Sequence, residues 1–335
     1  MLVTLTGAFK NAGDYLIGYR ARGLLANHTD HEIVDLNRKE LSDESYQVIN
    51  SAKALLLTGG PAYQKRIFPD IYPLDLERLQ VPIVPYGLGW KGGLNQAPED
   101  FKFEPQAEEF VRGIHQSGYF SSARDHQTVG ILNRLGIENA FMTGCPAGYD
   151  EEKLSQDYEQ REVKQVLFSM PAVPQPHVEP LLRYLAKKYP RAKKIVAFNA
   201  GYKSTRSKDR AKFTRWNYQM ILKARLMGFS PVSFESDFAK FQQVMGDTDL
   251  HLGFRVHSHI YSLSQRVATA LIAEDSRGIS QLEALKAPVL TAKQPIAEIT
   301  AQLDRIFSSG LEIQTSIETM RSTHSQMLKF IEQFS

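Results

Sequence analysis

Short apolar runs that end in glycine alternate with stretches of helical period along the first half of this chain. Residues 54–57 are apolar throughout and lead into Gly59 and Gly60, and residues 81–86 lead into Gly87 and Gly89. Uninterrupted apolar runs are typical of strands buried on both faces of a parallel sheet. Because glycine lets a second backbone or a ligand approach closely, these strand ends are expected to face a cleft. The pattern predicts a Rossmann-like domain over residues 1–150.

The pattern stops in a polar segment and then starts again. Residues 151–163 are rich in Asp, Glu, Lys and Gln and have no apolar period, which is typical of a linker between domains. A second strand and helix series occupies residues 164–295. Successive units of this kind favour parallel sheets covered by helices. We therefore expect an α/β protein with two Rossmann-like domains facing each other across a cleft.

Residues 296–335 have a different, helical pattern. Apolar residues from Ile296 to Phe334 recur at spacings of three and four, with interruptions at Gly310 and His324. This spacing predicts one or two helices with an apolar face. Two interpretations remain: helices packed back on the domains, which the weakly charged flanks of the seam favour, or a coiled-coil seam that would make the protein an oligomer.

A group of basic side chains follows the strand predicted at residues 249–254. The run alternates as a half-buried strand does, and it is followed by Arg255, His257 and His259. A helix is expected after them, over residues 260–266. An arginine and a histidine at the carboxyl end of a strand predict an anion site, although an ion pair with a structural carboxylate would explain Arg255 equally well. On a strand the two histidines would share a face. No third ligand has a convincing spacing, so no metal is expected.

Composition limits the classes of function. The formal net charge of +3 is too small to indicate nucleic-acid binding, and the single cysteine, Cys145, excludes an internal disulfide and a cysteine-based zinc site. No stretch approaches the roughly 18 apolar residues of a membrane span, and the first residues do not resemble a secretion signal. These features predict a cytoplasmic protein. Basic residues concentrate between positions 187 and 215, where they either form a solvated surface or attract an anionic substrate.

Motifs for common cofactors are incomplete. Residues 87–92 match the glycine pattern of a dinucleotide site, but residues 94–105 lack the pattern of the helix that such a site requires. The loop at residues 7–14 lies where a phosphate-binding loop would, without the expected lysine and hydroxyl residue at its end. We therefore expect no cofactor.

Four short motifs together resemble those of the polysaccharide pyruvyl transferases. They are Asn11-Ala-Gly-Asp14 after the first strand, Gly59-Gly60, Ser122-Ala-Arg-Asp125 before a helix that leads to Gly136, and Arg255-Val-His257. Their order and spacing agree across residues 1–280. The resemblance implies a fold similar to the two-domain GT-B glycosyltransferases and the transfer of a pyruvyl ketal from phosphoenolpyruvate to a sugar. It also implies a role in surface polysaccharide synthesis, with transient contact to a membrane-linked glycolipid.

The resemblance implies roles for individual residues. Ketal formation requires a proton donor, a base and cations for phosphate and carboxylate. His257 and Asp14 are the expected catalytic residues, although Asp14 would equally well cap the first helix. Arg124 and Asp125 are interpreted as a structural pair. The expected substrate-binding residues are Arg255, Asn11, Gly13, Gly59, Gly60, Lys203, Arg206 and Glu274.

This chain departs from the family in three places. Residues 273–277 keep an acid and a cation, without the tyrosine-aspartate and lysine that the family tends to have near that strand end. Met170 ends the first strand of the second domain, where the family commonly has an arginine that binds the donor. Cys145 begins a segment where an aspartate is usual. Lys203 or Arg206, beyond the next strand, would then have to reach the donor.

Two other functions therefore stay open. One is a GT-B glycosyltransferase that holds the ribose of a nucleotide sugar with Glu274 or Asp275 and its diphosphate with Arg255. The other is a catalytically inactive binding or scaffold protein on the same fold.

Overall fold

The computed structural model describes residues 1–7, 9–60, 63–205 and 208–335. Each half of the chain contains a parallel sheet with helices against it, and residues of both halves line one cleft. The predicted α/β fold with two Rossmann-like domains facing across a cleft is confirmed.

Four parallel strands form the main sheet of the first domain. They are β1 (Leu2–Thr6), β2 (Ile33–Asn37), β3 (Leu55–Thr58) and β4 (Ile83–Tyr86), in the spatial order β2-β1-β3-β4. Helices α1 (Ala12–His28) and α2 (Asp43–Asn50) connect the first three strands. Every residue of β1 and β3 is buried, as expected for inner strands covered on both faces.

A shorter pair of strands extends this domain. Its elements are α3 (Pro105–Ile114), β5 (Ser121–Ala123), α4 (His126–Arg134) and β6 (Ala140–Met142). Leu88, just after β4, bridges to Ala123. The Asp125 carboxylate accepts the backbone N–H and the hydroxyl of Thr128, both at 2.8 Å, and so fixes the start of α4 at the strand exit.

Six parallel strands form the sheet of the second domain. They are β7 (Gln165–Ser169), β8 (Lys193–Phe198), β9 (Phe229–Ser233), β10 (Leu250–Gly253), β11 (Ala268–Ala273) and β12 (Leu290–Thr291), in the order β12-β11-β10-β7-β8-β9. The connecting helices are α5 (Val178–Lys188), α6 (Arg210–Leu226), α7 (Phe238–Gly246), α8 (Val256–Ser264) and α9 (Ser276–Ala284). Residues 156–164 contain neither helix nor strand. The domain boundaries around 151–163 remain a prediction.

The structure corrects the region after β10. The sequence predicts a helix from Ile260, whereas α8 begins directly after Arg255. The strand ends at Gly253, where a Cβ atom would lie 2.4 Å from the carbonyl oxygen of Ser169 on β7, so a side chain has no room there. His257 therefore lies in the first turn of a helix, and not on a strand.

Two helices complete the chain. They are α10 (Ile296–Ser309) and α11 (Leu311–Glu332), joined at Gly310, which has a φ of +66°. Ile313 and Ile317 lie in the core of the second domain, and Phe330 stacks on Tyr86 of the first, with ring centroids 5.2 Å apart. The interpretation of packed helices is confirmed. The coiled-coil interpretation is wrong, because the seam that would join two copies through residues 296–335 is buried within the chain.

Candidate active site

A cavity of about 200 Å³ lies in the cleft between the domains. Three helices direct their N-termini toward it, α1 from the first domain and α8 and α9 from the second. Free N–H groups and the helix dipole make such termini attractive to anions. Among the described residues, the charged and amide side chains that line the cavity are Asn11, Asp14, Arg38, Gln64, Arg124, Asn199, Arg255, His257, Glu274, Asp275 and Arg277.

The start of α1 places Asn11 and Asp14 at this cavity. The Asn11 side chain caps the helix by accepting the Gly13 N–H at 3.3 Å, so the expectation that Asp14 is the cap is wrong. Asp14 lies in the first turn, and burial raises the pKa of its carboxyl, against the Asn11 hydrogen bond and the positive charges of nearby arginines. The Ala12 N–H donates to the Asn199 carbonyl oxygen at 3.0 Å, which fixes this helix end against the second domain.

Gly13 contributes to the site by having no side chain. A Cβ atom there would lie 2.6 Å from Nδ1 of His257, so glycine allows the imidazole to pack on the start of α1. Gly13 itself is buried and, in the described part of the chain, is not one of the residues that line the cavity. Its role in substrate binding stays a prediction, and the structure gives it a role in positioning His257.

His257 presents an unpaired nitrogen. Its Nε2 is enclosed and has no hydrogen-bond partner within the described ranges. Burial, together with the positive charges of Arg124, Arg277 and Arg255, lowers the pKa of His257 to about 3. The imidazole is therefore neutral at physiological pH. An anion bound among these arginines would offset their charge and raise that pKa.

Arg255 combines the two roles that its sequence position left open. Its Nη1 lies 3.9 Å from Oε1 of Glu274, a loose ion pair, and burial lowers the pKa of the guanidinium. The Glu274 carboxylate also accepts the Ala172 N–H at 3.2 and 3.1 Å to its two oxygens. Both side chains line the cavity. Glu274 thus orients Arg255 loosely, and the guanidinium keeps donors for an anion.

Arg277 is a cation of the site that the sequence prediction omitted. Its Nε lies 2.9 Å from both carboxylate oxygens of Asp275, and its Nη2 lies 2.5 Å from Oδ2. Asp275 also caps α9 by accepting the Arg277 backbone N–H at 3.1 Å. This pair holds the guanidinium rigidly at the cavity wall.

Arg124 is both structural and part of the site. The side chain is 1% exposed, with Nε 3.3 Å from Oδ2 of Asp125 and Nη2 donating to the Trp90 carbonyl oxygen at 3.4 Å. The predicted local pair with Asp125 is therefore present. Arg124 also lines the cavity, which the sequence interpretation did not include.

Two further polar residues of the site follow strands β2 and β8. Arg38 lies over the ring of Tyr72 at 5.2 Å, and its Nε is buried without a partner among the residues described. Asn199 donates from Nδ2 to the Ser258 hydroxyl at 3.0 Å, and its Oδ1 is likewise buried and unpaired. The position of Arg38 and Asn199 directly after predicted strands is the only sequence feature that could have identified them as site residues.

The remaining residues predicted to bind substrate differ in whether they line the cavity. Gly59 and Gly60 line the cavity with φ of +61° and +81°, and a Cβ at Gly59 would lie 2.0 Å from Cγ2 of Ile17. Lys203 is exposed and is not one of the described residues that line the cavity, so its predicted contact with the donor is not seen. Arg206 lies outside the described residues.

No group of three or more His, Cys, Asp or Glu side chains in the described ranges is placed to hold a metal ion. His257 faces the cavity, whereas His259 is buried and its Nδ1 lies 2.9 Å from the Thr269 hydroxyl. Because α8 is a helix, residues two positions apart, such as His257 and His259, do not lie on the same face.

Four arginines and three carboxylates line the cavity, which leaves one net positive charge among the described lining residues. The enclosed imidazole adds a group that can accept a proton once an anion is bound. This arrangement suits a small ligand with more than one negative charge.

Solved structures with the same fold cover nearly the whole chain. The S. aureus MnaA complex with UDP has a TM-score of 0.60 at 12% identity over 99% of this chain and 96% of that one. UDP-GlcNAc 2-epimerase from Neisseria meningitidis, bound to UDP-GlcNAc, has a TM-score of 0.56 at 9% identity over 99% of both chains. Anabaena HepE with UDP and glucose has a TM-score of 0.52 at 11% identity over 99% and 97%. At these identities the likeness shows the GT-B type of fold alone.

A comparison with curated proteins finds no match. The sequence model of one family, described as polysaccharide pyruvyl transferase, matches residues 11–276, well over half of the chain. The matched region runs from Asn11 at the start of α1 to Ser276 at the start of α9, and so contains Asp14, Arg255 and His257. The chain belongs to the polysaccharide pyruvyl transferase family.

Proposed function

We propose that this protein transfers a pyruvyl group from phosphoenolpyruvate to two hydroxyls of a sugar in surface polysaccharide synthesis. The observation that carries the proposal is a neutral imidazole with an unpaired, enclosed Nε2 beside three arginines of one small cavity. Phosphoenolpyruvate has a phosphate and a carboxylate for the arginines and an enol carbon that must be protonated. Membership of the family supports this reaction type.

Residues of the cavity can be assigned to each step of ketal formation. His257, charged once the donor is bound, gives a proton to the methylene carbon, and a sugar hydroxyl bonds to the neighbouring carbon. Phosphate then leaves and the second hydroxyl bonds to the same carbon, which completes the ketal. The two hydroxyl protons go to the base and to phosphate. Asp14, across the cleft from α8, is the proposed base, and Arg255 and Arg277 stabilise the negative charge that develops on phosphate.

The size of the cavity favours a small donor. Sites for drug-sized ligands have volumes of about 300–1,000 Å³, whereas this cavity has about 200 Å³. The carboxylates that would hold a ribose are already engaged, Glu274 with the Ala172 N–H and Arg255, and Asp275 with Arg277. These observations support phosphoenolpyruvate over a nucleotide sugar.

Arg277 and Arg124 bring to the cavity the positive charge that an arginine at position 170 would supply. The Met170 side chain is 2% exposed in the core of the second domain, at the end of β7, and so brings no charge to the cleft. Arg277 enters the same cavity from the start of α9, and Arg124 enters it from the end of β5. Together with Arg255 they supply the cations that a phosphate and a carboxylate need.

The test is thermal-shift titration with phosphoenolpyruvate, UDP and UDP-glucose, followed by incubation with a panel of sugar acceptors. We expect stabilisation by phosphoenolpyruvate, phosphate release and a pyruvyl adduct in the mass spectrum. Stabilisation by the nucleotides alone would assign the glycosyltransferase alternative. No shift and no product with any of them would assign the inactive scaffold.

Asp14→Asn is expected to reduce transfer by about 10²-fold or more, because the base is removed, and at the same time to raise the Tm at neutral pH. Burial raises the pKa of the Asp14 carboxyl in the folded protein. Because the folded state disfavours the ionised carboxylate, the free energy of unfolding decreases as the pH rises through that pKa. At neutral pH the Asp14 carboxylate therefore destabilises the folded protein. Kinetics and thermal unfolding of both proteins measure the two effects.

Asp43→Asn is the matched control, since Asp43 lies in the first turn of α2 in the same domain and its side chain is 82% exposed. It should change neither quantity appreciably. A normal rate with a lower Tm for Asp14→Asn would instead assign Asp14 only a structural role in the first turn of α1.

A further inference from the structure

The outer face of α6 carries an unpartnered apolar stripe. Leu222 is 61% exposed, Leu226 is 89% exposed and Tyr218 is 45% exposed. They recur every four residues, so they form one line along the helix surface. The opposite face already packs on the domain through Met220, Ile221 and Ala224. The helix is thus apolar on two faces, and only one of them is covered.

The same helix is strongly basic. Its 17 residues include five cations and no carboxylate, and the cations are Arg210, Lys212, Arg215, Lys223 and Arg225. Only Lys223 has an ion pair within the described residues, at 2.5 Å from Glu179 of α5. The acidic residue closest in sequence is Asp209, at the N-cap. Lys203 and Lys208, which precede the helix and are themselves exposed, add positive charge.

Cations lie beside and among these apolar side chains. At 100° per residue, Tyr218, Leu222 and Leu226 share the middle of the exposed face with Arg215. Arg225 lies on one side of them, and Lys212 and Lys223 lie on the other. Exposed leucines surrounded by Lys and Arg are typical of helices that lie in the plane of a membrane surface.

We propose that α6 binds the surface of an anionic lipid bilayer, with the leucines inserted at the headgroup boundary and the flanking cations against lipid phosphates. Charge complementarity selects this occupant over a second copy of the chain, because two α6 faces would place eight cations that have no ion pair among the described residues against each other. None of the described helices is long and apolar enough to cross a membrane, so the contact is peripheral.

The placement of α6 relates this surface to the cleft. The loop after β8 is bonded to the helix, since Asn217 donates to the Tyr202 carbonyl oxygen at 2.9 Å and the Ser204 N–H donates to the Thr214 hydroxyl at 3.0 Å. The same strand end carries Asn199, which lines the cavity. The first turn of α6 therefore lies on the cleft side of the domain, and Leu222 and Leu226 lie toward its other end. A bilayer surface along the whole helix would extend to the cleft side, where, under the proposed function, lipid-linked sugars would be used.

The test is co-sedimentation of the full chain with vesicles of phosphatidylglycerol and phosphatidylcholine, compared with phosphatidylcholine alone. We expect binding to the anionic vesicles only and a steep loss with added salt, because each Lys or Arg near the surface strengthens binding about fivefold. The double variant Leu222→Ser, Leu226→Ser should lose about tenfold or more in partitioning. Lys212→Glu, Arg215→Glu should lose the preference for anionic lipid.

Leu311→Ser is the matched control, because Leu311 is 68% exposed at the start of α11, away from this stripe. It should bind vesicles as the unchanged chain does. All variants alter exposed side chains, and an unchanged Tm verifies that they fold. The proposal is overturned if the unchanged chain ignores anionic vesicles at low salt or if the leucine variant binds them equally. A dimer by light scattering that this variant abolishes, without vesicle binding, would assign the stripe to self-association instead.

Discussion

Replacing His257 with glutamine is expected to reduce the kcat of pyruvyl transfer by about 10²–10⁴-fold, the usual contribution of a positioned acid. Glutamine keeps a hydrogen-bonding end but cannot carry a proton to carbon. The imidazole starts neutral, because burial and the neighbouring arginines hold the pKa of His257 at about 3. Its activity as an acid therefore requires that the bound donor raise that pKa.

Calorimetry measures this coupling directly. At about pH 8 a phosphate monoester, with its second pKa about 6, is fully ionised, so a proton taken up on binding must come to the protein. We expect uptake by the unchanged protein, decreasing as the pH rises above the pKa of His257 in the complex, and none by His257→Gln. His126→Gln is the control, because His126 is exposed on α4 and does not line the cavity among the residues described. Uptake that persists in His257→Gln would assign the proton to another group.

The parts of the fold that depend on local pattern were predictable from the sequence. Continuous apolar runs such as residues 54–57 indicate strands that are buried on both faces. The glycines after them indicate a position where a second backbone or a ligand comes close. Residues 55–58 are indeed buried, and both Gly59 and Gly60 line the cavity with positive φ. A Cβ atom at Gly59 would clash with the Ile17 side chain, whereas Gly60 has open space around it. The spacing of Ile313 and Ile317 likewise predicted helices, although it could not say which surface they cover. Local pattern therefore predicted elements and strand ends.

The rest of the site depends on contacts between distant segments. Arg38 and Asn199 are single polar residues after strands, and such residues are equally common on solvated loops. Their side chains reach one cavity only because α1 of the first domain packs against β8 and α8 of the second. The start of α8 was missed for a similar reason. A side chain at Gly253, the last residue of β10, would clash with Ser169 on a neighbouring strand, and no residue near Gly253 in sequence indicates that contact.

Replacing Arg255 with glutamine is expected to raise the KM for phosphoenolpyruvate by about 10–150-fold, because a hydrogen bond to a charged group contributes about 1.5–3 kcal/mol. The kcat should fall less, since Arg124 and Arg277 remain at the cavity. Arg255→Lys should recover only part of the affinity, because an ammonium lacks the planar fork that binds two oxygens of an anion. Initial-rate kinetics with the donor varied measure both parameters.

The same variant separates the two roles of Arg255. If its ion pair with Glu274 mattered most, Arg255→Gln would lower the Tm and leave the donor KM unchanged. Nη1 of Arg255 lies 3.9 Å from Oε1 of Glu274, and the Ala172 N–H donates to both Glu274 oxygens. The Glu274 carboxylate therefore keeps a hydrogen-bond donor without the arginine. Arg112→Gln is the control, since Arg112 pairs with Glu108 on the exposed surface of α3. A donor KM that rises in Arg255→Gln but not in this control, at unchanged Tm, would identify Arg255 as a donor-binding residue.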